Sequence, residues 1–205
     1  MEEVARVDIT SRCIRYDPLL VEKANLSEET QELLLHSGLS QPTLDGEDVL
    51  GIRFNSLPDM GLMRTSDDLK MLLPIGYEWD EQTAILGVEA GTGILYRVDV
   101  QTEEYDVMNS SLHLFLAFLS RYTAIVQEYS KAYEPTVMTL EQAQAKLEAF
   151  RRGEIKPRLT QSEQSGRDDA VKLLRLFYTE QDPVSMIDEE TWWSVVLEQL
   201  EDELL

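Results

Sequence analysis

The chain has 205 residues, 43 % hydrophobic and 28 % charged, which is enough apolar content for a folded core and argues against wholesale disorder. Asp and Glu number 39 against 18 Lys and Arg, a formal net charge of −21. A surface of that sign repels nucleic acid and anionic lipid and draws basic partners by long-range steering, so neither nucleic acid nor membrane is expected as a direct partner.

Cys13 is the single cysteine, so one chain can form no internal disulfide and no cysteine-based zinc site, as suits a reducing compartment. The start, Met1-Glu2-Glu3-Val4-Ala5-Arg6, lacks the basic region and apolar run of a signal peptide. The longest apolar candidate, residues 112–126, is interrupted by Ser120, Arg121 and Thr123, short of the ~20 residues that span a bilayer. A cytoplasmic location is expected.

Along the chain, Ser27 followed by Glu28 and Glu29 opens a short helix that continues through His36 and stops at Gly38. Residues 40–73 are irregular, with turn residues at Pro42, Gly46, Gly51, Pro58 and Gly61 and short strands among them, including residues 50–54. Ala84-Ile85-Leu86-Gly87-Val88 reads as a strand, and Gly91-Thr92-Gly93 as the hairpin turn after it. Ile94, Tyr96, Val98 and Val100 then alternate with Leu95, Arg97 and Asp99, the period of a half-buried strand. A third short strand, residues 105–108, completes an antiparallel meander.

Asn109-Ser110-Ser111 caps the next helix, whose stripe is Leu112, Phe115, Leu116, Leu119 and Thr123. Thr139-Leu140-Glu141-Gln142 fits a capping box for a helix over residues 143–152 that Gly153 ends. A polar linker over residues 156–166 precedes a helix carrying Val171, Leu174, Phe177 and Tyr178 on one face. A last helix beginning near Asp188 carries Trp192, Trp193, Val196, Leu197 and Leu200. Trp192 and Trp193 are adjacent, so one helix face cannot bury both; one belongs to the core and the other to a neighbouring segment or a partner. Beyond Arg175 there is no Lys or Arg, and the run closes on Glu201, Asp202 and Glu203.

Signatures of chemistry are sparse. The glycine-rich run from Gly87 to Gly93 lacks Gly-Lys-Ser/Thr and leads into a strand rather than a helix, so it cannot cradle a phosphate in the usual way. His36 and His113 stand alone in their segments, and Asp45-Gly46-Glu47-Asp48 misses the calcium-loop spacing. Asp80 and Glu81 could form an acid/base pair, but a chain this acidic yields such pairs by chance. No cofactor, no metal and no enzymatic activity are expected.

An ordered series of segments carries a resemblance. It runs Leu73-Pro74-Ile75-Gly76, Ile85-Leu86-Gly87-Val88, Gly93-Ile94-Leu95-Tyr96-Arg97-Val98-Asp99, Val107-Met108-Asn109-Ser110-Ser111-Leu112 and Phe115-Leu116-Ala117-Phe118-Leu119. It resembles the SUKH superfamily, in particular its fourth group of immunity proteins. Residues 33–39 are similar to that group's early helix and turn, with Ser40 in place of its proline, and Trp193-Ser194-Val195-Val196 through Glu201-Asp202 is similar to its closing segment. The resemblance implies an α+β fold: a central twisted, mostly antiparallel sheet with flanking helices and a helical C-terminal segment. The whole of residues 1–205 reads as a single domain, with 1–26 as an N-terminal extension and 135–205 as its helical C-terminal part. Gly76, Gly93, Asp99, Asn109, Ser110, Phe115 and Trp193 carry the match as structural residues, with Asp99, Asn109 and Ser110 satisfying backbone groups.

The resemblance further implies a non-catalytic protein that binds and neutralises a cognate bacterial polymorphic toxin, a nuclease or deaminase. The acidic surface adds the expectation that this toxin presents a basic surface. Glu103, Glu104 and Asp106 beyond the third strand, together with Glu201, Asp202 and Glu203, are the candidate contacts. The alternative is a regulatory or scaffold interaction module of the same fold, and the charge can also serve solubility alone. The sequence leaves the oligomeric state open.

Overall fold

The structure of the protein, a computed structural model, describes residues 13–65, 70–132, 139–152 and 161–202. Helix α1 (Pro18–Ala24) is capped by Asp17, whose carboxylate accepts from the N–H groups of Leu19 and Leu20 at 2.8 and 3.2 Å. Helix α2 (Glu28–Glu32) is capped by Ser27 and loosens into a π-helical turn over Leu33–Ser37, which ends at Gly38 with φ 76°. Residues 13–26, placed above in an N-terminal extension, supply Tyr16, Val21, Ala24 and Leu26 to the main core. The Tyr16 hydroxyl donates to the Ile75 carbonyl at 2.6 Å.

A two-stranded hairpin, β1 (Thr43–Leu44) with β2 (Glu47–Asp48), precedes β3 (Ile52–Phe54) and β4 (Met63–Arg64). The main sheet continues with β5 (Met71–Glu78), β6 (Ala84–Glu89), β7 (Leu95–Asp99) and β8 (Tyr105–Asn109). Its order is β3-β5-β6-β7-β8, with β4 also on β5, and all its pairings are antiparallel. The expected meander is therefore present as β6, β7 and β8.

Strand β5 is a correction. Residues 71–73, the end of the stretch expected to be irregular, open a central strand of the sheet that runs on through Ile75 and Gly76. Pro74 has no N–H for the ladder, and the register shifts between Pro74 and Gly76. Gly76 is required by close approach, because a Cβ there would fall on the Arg53 carbonyl oxygen of β3.

One sheet face packs Leu73, Ile75, Leu86, Val88, Leu95 and Met108 beneath the helices. The other carries a smaller cluster of Leu72, Tyr96 and Val98, flanked by Met63, Ile94, Tyr105 and Val107. Helix α3 (Leu112–Ala132) buries Leu112, Phe115, Phe118, Leu119 and Tyr122, while the expected stripe members Leu116 and Thr123 are half-buried. Helix α4 (Leu140–Arg151) carries the expected capping box: Gln142 N–H donates to the Thr139 hydroxyl at 3.3 Å, and Thr139 N–H to the Gln142 side chain at 3.0 Å.

Helix α5 (Gln161–Gln181) begins inside the segment expected to be a linker, so residues 161–166 belong to a helix. Gln and Glu are adequate helix formers, and the apolar stripe downstream extends the helix back through them. Helix α6 (Trp192–Glu201) starts at Trp192 with Thr191 as N-cap, later than Asp188. Asp188 instead holds a preceding turn, its carboxylate accepting from Glu190 and Thr191 N–H at 3.0 Å each.

Candidate partner-binding site

The two adjacent tryptophans divide the labour of α6. Trp193 is fully buried and stands 4.9 Å from Tyr178 and 5.7 Å from Phe118, ring centre to ring centre. Trp192, Val195, Val196 and Gln199 form the next stripe around the helix and face a hollow of about 360 Å³. Its other walls are Leu50, Glu78 and Trp79 at the end of β5, Thr83, Arg97 of β7, Asp106 of β8, and Glu190.

A charged network floors this hollow. Glu78 is 8 % exposed and accepts from Arg97 Nε at 2.5 Å and from the Trp192 indole N–H at 2.9 Å. Arg97 Nη1 lies 4.0 Å from the exposed carboxylate of Asp106. The buried carboxylate is thus paired twice, as burial requires, and it locks α6 to the sheet.

Trp79 has a different character. Its backbone takes the left-handed conformation, φ 65°, and its side chain is 60 % exposed. The indole lies on Gly51, where a Cβ would come within 2.5 Å of the ring, and Trp79 N–H donates to the Gly51 carbonyl at 2.7 Å. Gly51, itself at φ 67°, supplies both the bare backbone and the turn that brings it there. A second hollow of about 310 Å³ opens on the far side, lined by Gly46, Glu47, Asp48, Gly51, Arg53 and the same Trp79.

The acids named from sequence fall in distinct places. Asp106 lines the first hollow. Glu103, at φ 60°, and Glu104 form the β7–β8 turn and are exposed. Glu201 lies 3.7 Å from Arg175 of α5, on the side of α6 that meets that helix, and Asp202 is its exposed C-cap. Glu203 lies outside the described residues. Asp80 accepts from the N–H groups of Gln82 and Thr83 and from the Thr83 hydroxyl. Those bonds, led by the one from Gln82 N–H, hold its carboxyl below the usual range.

Asp99 accepts from Gln101 and Thr102 N–H at 2.9 Å each, which lowers its pKa; Thr102 is the larger cause. Gly93 follows the β6–β7 turn with φ 81°, and Phe115 packs edge-on against Phe54 with ring centres 6.4 Å apart. Asn109 is fully buried and turned inward: its amide donates to Asp182 at 2.9 Å and accepts from the Trp193 indole at 2.8 Å. Ser110 N–H donates to the same Asp182 carboxylate at 2.8 Å, and the hydroxyl at the helix start is Ser111, accepting from Leu114 N–H at 3.3 Å.

Sequence reasoning missed Glu78, Trp79, Arg97, Glu190 and Trp192 as one site. The available signal was Glu78-Trp79-Asp80-Glu81, an aromatic residue set among acids just before a strand. Among the described residues no group of three His, Cys, Asp or Glu side chains is placed to hold a metal, and no helix is long and apolar enough to cross a membrane. His36 and His113 lie 3.7 and 3.6 Å from Glu32 and Glu29.

Neither a curated protein nor a solved structure matches the chain. A family model described as SUKH-4 immunity protein matches residues 2–199. With nearly the whole chain covered and an antiparallel sheet flanked by helices in place, the protein belongs to the SUKH-4 immunity protein family.

Proposed function

We propose that the protein neutralises a cognate polymorphic toxin by stoichiometric binding in the cytoplasm, with no chemistry of its own, and that the toxin is a nuclease or deaminase with a basic surface. Membership of an immunity protein family carries this reading, and the net charge of −21 supports the sign of the partner. An enzyme that handles nucleic acid needs a cationic cleft, and an acidic protein is steered toward such a cleft and can occlude it. Glu103, Glu104 and Asp106 are adjacent along the β7–β8 hairpin, and Asp106 also borders the Trp79 hollow, so we place the contact face there. Glu201, Asp202 and Glu203 are a second acidic face at the end of α6.

The test is co-expression with the protein encoded beside this gene, scoring survival and recovery of a one-to-one complex. Rescue with a complex is the expected result, and a harmless neighbour that forms none would contradict the reading. Replacing Glu103, Glu104 and Asp106 together by Lys is expected to slow association at least about tenfold at low salt. Unchanged association would remove that hairpin from the contact face.

A further inference from the structure

Trp79 joins two hollows at one corner of the molecule, and folding alone does not account for it. A large aromatic side chain gains stability by being buried, yet this one is 60 % exposed. A non-glycine residue in the left-handed region is also disfavoured, more so when bulky. Glycine or asparagine at this position would relieve that backbone strain.

The surroundings define what the ring could bind. Glu78, Asp106 and Glu190 border one hollow, and Glu47 and Asp48 the other. Arg97 and Arg53 are the opposing charges, and each is engaged: Arg97 with Glu78 and Asp106, Arg53 with Asp48. The corner therefore keeps a net negative charge around an exposed indole and its apolar neighbours Trp192 and Val195. A guanidinium fits that combination better than an ammonium, because it stacks flat on an indole and forks to carboxylates at its edges.

We propose that Trp79 is the anchor of a docking site for an arginine-bearing segment of the partner, its guanidinium stacked on the indole and its edges held by the acids of the two hollows. The proposal deepens the toxin-binding reading and rests on it for the partner's identity, but the site's chemistry can be tested apart from it.

Two probes keep the questions separate. The first is a blocked tri-arginine peptide, titrated into the millimolar range and read by the backbone amide NMR signals of Glu47 and Gly51 beside the ring, with tri-lysine as the equal-charge control. A saturable shift severalfold tighter for tri-arginine, lost in Trp79→Asn, is expected; no shift, or equal response to both peptides, overturns the site. The second is the neighbour-encoded protein: Trp79→Asn is expected to weaken its binding at least about 30-fold. Its thermal midpoint should stay within about 2 °C of the parent's. Unchanged affinity in that variant overturns the anchor while leaving toxin binding standing. Tri-arginine binding without any complex with the neighbour upholds the site and sinks the toxin reading. A Trp79-dependent dimer in sedimentation assigns the corner to a second copy and overturns the proposal.

Discussion

Two tyrosines show how single side chains tie distant segments and make stability depend on pH. Tyr16 donates to the Ile75 carbonyl of β5, and Tyr178 to the Phe118 carbonyl of α3 at 2.8 Å. Burial raises both phenol pKa values well above the ordinary ~10, since desolvation disfavours the phenolate. A raised folded-state pKa contributes stability that is complete below the unfolded pKa and is lost as pH rises. The thermal midpoint is therefore expected to hold to about pH 9.5 and to drop steadily above about 10. The double variant Tyr16→Phe, Tyr178→Phe should start lower and lose less over the same range. A parent midpoint flat to pH 11.5 would show that these hydroxyls ionise freely in the folded state, against the geometry.

Between elements, the decisive tie is Asp182. Only 1 % exposed, it takes the amide of Asn109 at the end of β8 and the N–H of Ser110, while its own carbonyl accepts from the Ser185 hydroxyl at 2.8 Å. Through Asn109 it reaches the Trp193 indole, so β8, the start of α3, the end of α5 and α6 meet at one buried polar knot. Removing one member leaves the others unsatisfied, and Asp182→Ala is expected to cost about 2–4 kcal/mol in urea unfolding. Asp182→Asn, which keeps one acceptor and the shape, should cost about half that. Equal small losses from both would mean water replaces the carboxylate.

Much of this level was legible in the residues. Strands β6, β7 and β8 announce themselves by apolar runs, alternation and Gly91 and Gly93 between them. Strand β5 does not, because it is buried on both faces and so lacks alternation, and Pro74 and Gly76 read as breakers. The start of α5 is hidden in a composition that reads as linker. The Trp79 corner was legible only as an aromatic residue among acids, and its assembly was hidden for a different reason. Glu78 and Trp192 are bonded across 114 residues, and no local pattern encodes a contact that only the docking of α6 on the sheet creates.

For the whole molecule, a charge of −21 repels acidic surfaces and attracts basic ones at long range. Self-repulsion at that charge destabilises the compact state, while a cationic partner gains from it at long range before any contact forms. Most specific affinity then depends on a few buried anchors rather than on the charged rim. On this account the acids of the β7–β8 hairpin govern encounter and Trp79 governs residence.

The most direct test is the rate of association of the purified protein with the protein encoded beside its gene, measured across ionic strength. The account predicts a one-to-one complex whose association rate falls about tenfold or more from low to physiological salt, with little change in dissociation. A complex whose association ignores salt, or no complex at all, would contradict binding of a basic toxin as the function of this protein.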